Sequence, residues 1–481
     1  MRAYPPYTNK RKIQLVLPNS PYTVLARRKR LLRLCIVLFI LVFIIVQLNV
    51  INYDFHSTTN VDSSHNNDTT QALLQSIPAV LHKYLKPKNN SQVVTNSSQI
   101  ANNEKYQAIN ISEIQRSIER YNEYQTIINE EIFGPLYNDS IVIVVQVHKR
   151  ITYLRHLIVS LAQARDISKT LLIFSHDYYD EEINELVQSI DFCKVMQIFY
   201  PFSIQTHPNE FPGTNPNDCR RDMKKEQALI AKCNNAEYPD LYGHYREASF
   251  TQTKHHWWWK ANRVFDQLEV TKYHKGLVLF LEEDHYVAED FLYLLKMMQL
   301  KAFELCAKCN IMSLGTYLKT FNYYTYNNNH KKVEVTPWIS SKHNMGFSFN
   351  RSTWHQIKSC AKFFCSYDDY NWDWSLSYTS HQCLKNKLFA MVTRGPRVFH
   401  IGECGVHHKC GKKSEKDSGN QVISKVQQVL NVATKSNQLF PNNLMLTVAS
   451  IVKKQKIRKG NGGWSDKRDH LLCLNMTLGV R

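Results

Sequence analysis

Three carboxylates, Glu282, Glu283 and Asp284, end an apolar run that starts at Gly276. The run has the length and composition of a buried strand, and helical spacing follows it, with Phe291, Leu292, Leu294 and Leu295 apolar. In open α/β sheets ligands bind at the carboxyl ends of strands. An acidic cluster there can hold a hard divalent cation against a phosphorylated substrate. Asp284 is the foremost ligand candidate. Glu289 and Asp290, further along, are explained by the preference of carboxylates for a helix N-terminus. A second ligand must come from a distant segment. His400, at the end of Val398-Phe-His and before Ile401-Gly-Glu-Cys404, is the candidate that spacing alone leaves open.

Three polar segments flank strands or helices near the same edge. Gln146, Val147, His148, Lys149 and Arg150 follow a first strand, and Ser175, His176 and Asp177 follow a second. Gln252, Thr253, Lys254, His255 and His256 precede Trp257-Trp-Trp259, read as the start of an aromatic helix. Together they bring Lys149, Arg150 and Lys254 to one edge, able to meet a diphosphate, and leave Asp177 free to accept from a nucleoside. Tyr367-Asp-Asp-Tyr-Asn-Trp-Asp-Trp374 interleaves carboxylates with rings. Rings stack on sugar C–H faces while carboxylates take hydroxyls. A carboxylate among indoles also has a raised pKa, which suits a general base. The chemistry does not choose among Asp368, Asp369 and Asp373. Glycine is scarce (15 of 481 residues) and no glycine-rich phosphate loop is present, so phosphate recognition must rest on cations and a metal.

The elements that position these groups read as an α/β fold. Ile141–Val145, Leu171–Phe174, Val195–Phe199 and the run from Gly276 are expected strands. Tyr153–Ala164 and Lys260–Leu268 are expected helices, and Pro201–His256 a long polar insertion. Such alternation implies a mostly parallel central sheet with helices on both faces. Ser112–Phe133 reads as a preceding helix capped by Ser112. Ahead of it, residues 53–111 are rich in Asn, Ser, Thr and Gln, a composition that cannot bury enough apolar surface to fold, and are expected to be a disordered, glycosylated stem. Residues 1–33 end in a basic cluster (Arg27 to Arg33), and 34–52 form an apolar run long enough to span a bilayer. The positive-inside rule then makes 1–33 a cytosolic tail, 34–52 a signal anchor and 112–481 a luminal domain.

Sequons at Asn67, Asn89, Asn96, Asn110, Asn138, Asn350 and Asn475 agree with a lumen. So do the eleven cysteines that follow the apolar run, read mainly as disulfides, with Cys306 and Cys309 as a local pair. Eleven is odd, and Cys193, in an apolar run, is the expected free thiol. The formal charge of +19 falls largely in the tail and in the Lys453–Lys459 run. Neither comes with a nucleic-acid fold, so no nucleic-acid partner is expected.

The segments Leu279-Phe-Leu-Glu-Glu-Asp-His-Tyr-Val-Ala-Glu-Asp290, Gln146-Val-His-Lys-Arg150, Gln252-Thr-Lys-His-His-Trp-Trp-Trp-Lys260 and Tyr367–Trp374 closely resemble the N-acetylglucosaminyltransferase II family over about residues 120–475. The resemblance implies a GT-A type Rossmann-like domain, UDP-GlcNAc as donor, an N-glycan acceptor, Mn2+ and a Golgi location. It carries the metal onto Asp284 and His400, the general base onto Asp373, and acceptor contacts onto Asn344, Tyr370 and Trp372. Donor contacts fall on Gln146 to Arg150, Asp177 and Gln252 to His256. It also implies the pairs Cys219–Cys233, Cys306–Cys309, Cys360–Cys383, Cys365–Cys473 and Cys404–Cys410. Lys149 stands where the family pattern has asparagine, a departure expected to alter phosphate contacts rather than the reaction. Two alternatives remain: a β-1,2-GlcNAc-transferase acting on another mannose, and a glycan-binding protein that has lost catalysis. Oligomeric state is not legible. The topology has a direct check: glycosidase treatment of cell-expressed protein is expected to lower its mass by several glycans, whereas an unshifted band contradicts a luminal domain.

Overall fold

The computed structural model describes residues 77–86, 111–316, 321–402, 415–448 and 459–479, without the side chains of 415–419 and 448. The expected tail and anchor and the Cys404–Cys410 pair lie outside these residues. Among the described residues no helix is long and apolar enough to cross a membrane.

The fold is mixed α/β around a ten-stranded sheet. Its strands are β1 (Ile127–Ile128), β2 (Val142–Val147), β3 (Leu171–His176), β4 (Lys194–Phe199), β5 (Val278–Glu282), β7 (Ile311–Ser313), β8 (Lys332–Pro337), β9 (Phe347–Phe349), β10 (Phe389–Thr393) and β12 (Met445–Val448). They are ordered β1-β4-β3-β2-β5-β9-β7-β10-β8-β12. A separate antiparallel ribbon pairs β6 (His285–Val287) with β11 (Val398–His400). The block β4-β3-β2-β5 is wholly parallel, as its near-continuous apolar strands require. Antiparallel pairings enter at β1 and around β9 and β8.

Alternation along each central strand feeds two cores, because successive side chains point to opposite faces. Ile143, Val145, Leu172, Phe174, Leu279 and Leu281 pack on one side with the Ile151–Ala162 and Phe291–Leu305 helices. Val142, Val144, Leu171, Ile173, Val278 and Phe280 pack on the other with Trp257, Trp258, Leu376 and Met476. That second core is aromatic: Trp257 stacks on Trp372 at 4.6 Å, and Trp258 on Phe364 at 4.3 Å. The pairs Cys219–Cys233, Cys306–Cys309, Cys360–Cys383 and Cys365–Cys473 are disulfides. Cys193 is a buried free thiol. The sequon residues Asn138, Asn350 and Asn475 are all exposed.

Several boundaries differ from expectation. The helix expected over Ser112–Phe133 stops at Tyr124, with Ile114 and Ile118 buried. Gln125 and Asn129 then adopt left-handed conformations, and Ile127 and Ile128 pair with Met196 and Val195 at the sheet edge. The expected Lys260–Leu268 helix is the end of a longer helix, Ala248–Asn262, continued by a π turn over Arg263–Gln267.

Part of the expected stem is folded. Residues 77–86 form a short helical turn that buries Ile77 and Tyr84. The Tyr84 hydroxyl donates to Asp191 at 2.6 Å, and the buried Arg155 donates to the carbonyls of Tyr84 and Lys86. Two apolar anchors and three hydrogen bonds offset the entropy that the composition argument assigned to disorder. Tyr84→Ala is therefore expected to destabilise the domain by about 3–5 kcal/mol and Tyr84→Phe by about 1 kcal/mol in chemical denaturation. Two unchanged midpoints would return this segment to the stem.

Candidate active site

The site lies where β2, β3 and β5 end side by side. The parallel register sets Gln146 opposite Ser175 on one side and Glu282 on the other. The three carboxylates after Leu281 then take separate paths. Glu283 is buried and turns toward the loop after β2: its Oε2 accepts from the backbone N–H of His148 at 2.8 Å and of Arg150 at 3.2 Å. It satisfies donors at the N-terminus of the Ile151–Ala162 helix, where a carboxylate is favoured. Burial pushes the Glu283 carboxyl up to about 7, with those backbone bonds opposing.

Asp284 faces the opposite way. Its Oδ2 receives Arg150 Nη1 at 2.5 Å and lies 3.2 Å from His400 Nε2, while Oδ1 is buried without a hydrogen-bond partner among the described residues. The β6–β11 ladder explains the meeting of distant segments, since its register sets His400 opposite His285. Ile401 N–H closes onto the Asp284 carbonyl at 2.9 Å. Gly402 passes so close that a Cβ there would sit 2.5 Å from Asp284 Oδ2. Burial opposes ionisation of Asp284, but His400, His285 and Arg150 outweigh it and hold the carboxyl well below its usual range. The ligand atoms of Glu282, Asp284 and His285 lie within 4.8 Å of one another. Carboxylate oxygens, imidazole nitrogens and one orphaned buried oxygen suit a divalent cation. A cavity of about 410 Å³ opens beside His400, lined by Thr316, Met345, Phe399, Gln421 and Lys425.

The other expected donor residues divide into two groups. The first converges on Asp177, which is buried and not free: His148 Nδ1 lies 2.6 Å from Oδ1, and Gln252 Nε2 donates to Oδ2 at 3.1 Å. His256 Nδ1 is 3.4 Å from the same Oδ2, and its Nε2 meets Ser175 Oγ at 2.8 Å. Burial opposes the charge on Asp177, yet these partners keep it ionised. Asp177 therefore fastens three segments together instead of awaiting a ligand. Val147 is wholly buried, and Lys149 is exposed with its ammonium 3.7 Å from the centre of the Tyr178 ring.

The second group leaves the site. Lys254 is fully buried and donates to the carbonyls of Tyr367 and Asp369, so it cannot meet a diphosphate. His255 contacts Asp469, itself paired with Arg246, in a buried cluster. Thr253 is half-buried between them. The cause is that Gln252–His256 is helix interior, not a loop before a helix. A 3.6-residue period sends Gln252, His256 and Lys260 to one face, toward the strand ends, and Lys254, His255 and Trp258 elsewhere. Lys260 was missed for the same reason; its Nζ donates to Gln146 Oε1 at 2.5 Å. The i, i+4, i+8 spacing carried the signal once the helix is extended to Ala248.

In the acidic aromatic segment the geometry separates the three aspartates. Asp368 accepts from the backbone N–H of Leu241 and Trp464, both at 2.9 Å. Asp369 is wholly buried and accepts from the backbone and side chain of both Asn371 and Asn461. Asp373 accepts only from Trp374 N–H at 2.9 Å and Asn344 Nδ2 at 3.5 Å among the described residues. Burial pushes its carboxyl up to about 7, with the charges of Asp369 and Glu282 adding to the rise. Asn344 Oδ1 is buried without a partner among the described residues. Tyr370 packs on Phe250 at 4.9 Å and is half-buried. Trp372 does not present its ring to a ligand: it is sandwiched between Trp257 and Phe347 in the aromatic core and fixes the start of the helix that carries Asp373.

Carboxylates and an imidazole that could hold a cation at the strand ends, with a carboxyl raised by burial to about 7 in Asp373, form a constellation suited to group transfer. Residues 115–473 match the family model for N-acetylglucosaminyltransferase II (MGAT2). The chain is 46% identical over 337 residues to the mouse α-1,6-mannosyl-glycoprotein 2-β-N-acetylglucosaminyltransferase, covering 69% of this chain and 73% of that one. The human protein of that name is 43% identical over 349 residues (73% and 76%), and that of Arabidopsis thaliana 36% over 368 residues (73% and 78%). The chain belongs to the N-acetylglucosaminyltransferase II family.

The contrast among the aspartates can be measured as stability. Asp369→Ala strands buried donors and is expected to cost about 3 kcal/mol. Asp373 behaves oppositely. A carboxyl whose folded pKa is raised from 3.8 to about 7 favours the folded state only when protonated, so its ionisation weakens the fold increasingly between those values. Asp373→Asn should then melt no lower than wild type at pH 8. A marked drop in its melting temperature would give Asp373 a structural role like that of Asp369.

Proposed function

We propose that this chain is an inverting glycosyltransferase of GT-A type that moves GlcNAc from UDP-GlcNAc onto the α-1,6-arm mannose of N-glycans, in β-1,2 linkage. The names of its relatives give the linkage and the acceptor. The observation that carries the reading to this chain is the pairing of a partly unsatisfied Asp284, beside His400, with Asp373, whose pKa responds to the charge on Glu282.

Asp284 and His400 would hold a divalent cation, Mn2+ by family, with Glu282 and His285 beside them. When bound, the cation neutralises charge on the departing diphosphate. The protein's own groups do the rest. The loop Gln146–Arg150, held by Glu283 and Asp177, forms the rim on which the nucleotide rests. Arg150 adds a positive charge beside Asp284. Asn344 and Tyr370 flank Asp373 on the acceptor side. The acceptor hydroxyl attacks the anomeric carbon as the bond to the diphosphate oxygen breaks, UDP leaves with the bonding pair, and Asp373 takes the hydroxyl proton. A single displacement inverts the anomeric centre and needs no covalent nucleophile. The expected setting is the Golgi membrane, with 34–52 as a type II anchor and the domain luminal.

A positioned base contributes about 10²–10⁴ in rate, so Asp373→Asn should lower turnover by about that factor while UDP binding persists. The base must be ionised, so wild-type turnover should rise with pH through about 7. Joint loss of UDP affinity and rate would move Asp373 into the nucleotide site, and retained turnover would hand the base role to another group. A panel of mannose-terminated acceptors distinguishes this linkage from the two alternatives.

A further inference from the structure

Lys260 is 1% exposed, on the face of the Ala248–Asn262 helix that also carries Gln252 and His256. Its Nζ lies 2.5 Å from Gln146 Oε1, at the level where Gln146 is registered opposite Glu282. Burying a lysine among strand ends is costly unless its charge is compensated. Burial lowers the Lys260 ammonium to about 7, while the charges of Glu282 and Asp177 favour its protonated form. In its charged form the amine only donates, and the amide oxygen of Gln146 faces it. The Nε2 group of Gln146 then points away from Lys260, and the side chain is only half-buried.

We propose that Lys260 is a positioning residue for the nucleotide donor: it locks Gln146 so that the amide N–H pair is presented to an acceptor oxygen of a nucleoside diphosphate. The inference rests on the proposed function and assigns to Gln146 the role of donor, not acceptor, of hydrogen bonds to the ligand. Lys260 acts through Gln146 and touches no substrate itself. A merely structural lysine would instead balance Glu282 and affect folding without a dependence on Gln146.

The full-length protein is titrated calorimetrically with UDP in the presence of Mn2+, comparing wild type, Lys260→Met, Gln146→Leu and the double variant. Lys260→Met should weaken UDP binding about tenfold or more while the acceptor KM changes less than about twofold. Lys260→Arg should recover most of the loss. The double variant should bind UDP no worse than Gln146→Leu alone, because the effect travels through one side chain. Additive losses, or unchanged UDP affinity in Lys260→Met, overturn the inference. Should Lys260→Met fail to fold, Gln146→Glu decides: its carboxylate keeps the contact to Lys260 but has no N–H to offer, so it must bind UDP as poorly as Gln146→Leu, and retained affinity overturns the inference. Wild-type protein that binds no UDP overturns the donor assignment itself, whereas wild-type binding with indifferent variants overturns only the role of Lys260.

Discussion

A carboxylate can be buried only if its charge is met by donors or cations. This chain buries many carboxylates around one edge of its sheet, and that constraint organises the site. Glu283 recruits the loop after β2, Asp177 recruits that loop and the Ala248–Asn262 helix, and Asp368 and Asp369 recruit the 460–464 segment. Asp290, wholly buried, is met by the equally buried Arg397 at 2.8 and 3.0 Å. Each of these acids holds two elements together. The bonds are structural, yet their joint effect is to fix the loops that a ligand would touch.

Against that background Asp284, Glu282 and Asp373 differ. Asp284 keeps a buried oxygen with no partner among the described residues, Glu282 has its carboxyl raised first by burial and then by Asp284, and Asp373 feels Glu282 in turn. The three form one electrostatic neighbourhood: burial and like charge hold the carboxyls of Glu282 and Asp373 up, whereas His400, His285 and Arg150 keep Asp284 ionised. An added divalent cation would relieve the strain at the strand ends, and an acceptor proton would relieve it at Asp373. The aromatic core supplies the rigidity for this tension: Trp372, locked between Trp257 and Phe347, sets the position of the residue beside it.

Much of this was legible in the sequence. Central strands declare themselves as short apolar runs because both faces of a parallel block are covered, and the acids closing β5 fall where the parallel strands end side by side. The free Cys193 followed from parity. Other features were hidden by rules that read one level of structure at a time. Polar residues at 252–256 looked like a loop because the helix they belong to is buried on all sides and shows no apolar stripe. Lys254 and His255 were sorted from Gln252 and His256 only by helical phase. Asp177 looked free because its partners come from elements distant in sequence. Trp372 is chemically suited to a sugar, and only packing shows that its faces are taken. The folded turn at 77–86 escaped notice because Ile77 and Tyr84 are too few to stand out in a polar stretch.

The central claim is that Asp284, ionised beside His400 and with one oxygen unpartnered among the described residues, is a cation-dependent anchor for the donor. The most direct measurement is calorimetric titration of UDP into the full-length wild type and Asp284→Ala, with and without Mn2+, alongside thermal melting of each. The account predicts that wild type binds UDP tightly only with the cation, and that Asp284→Ala loses this dependence and most of the affinity while remaining folded. Cation-dependent UDP binding of unchanged strength in folded Asp284→Ala would contradict it.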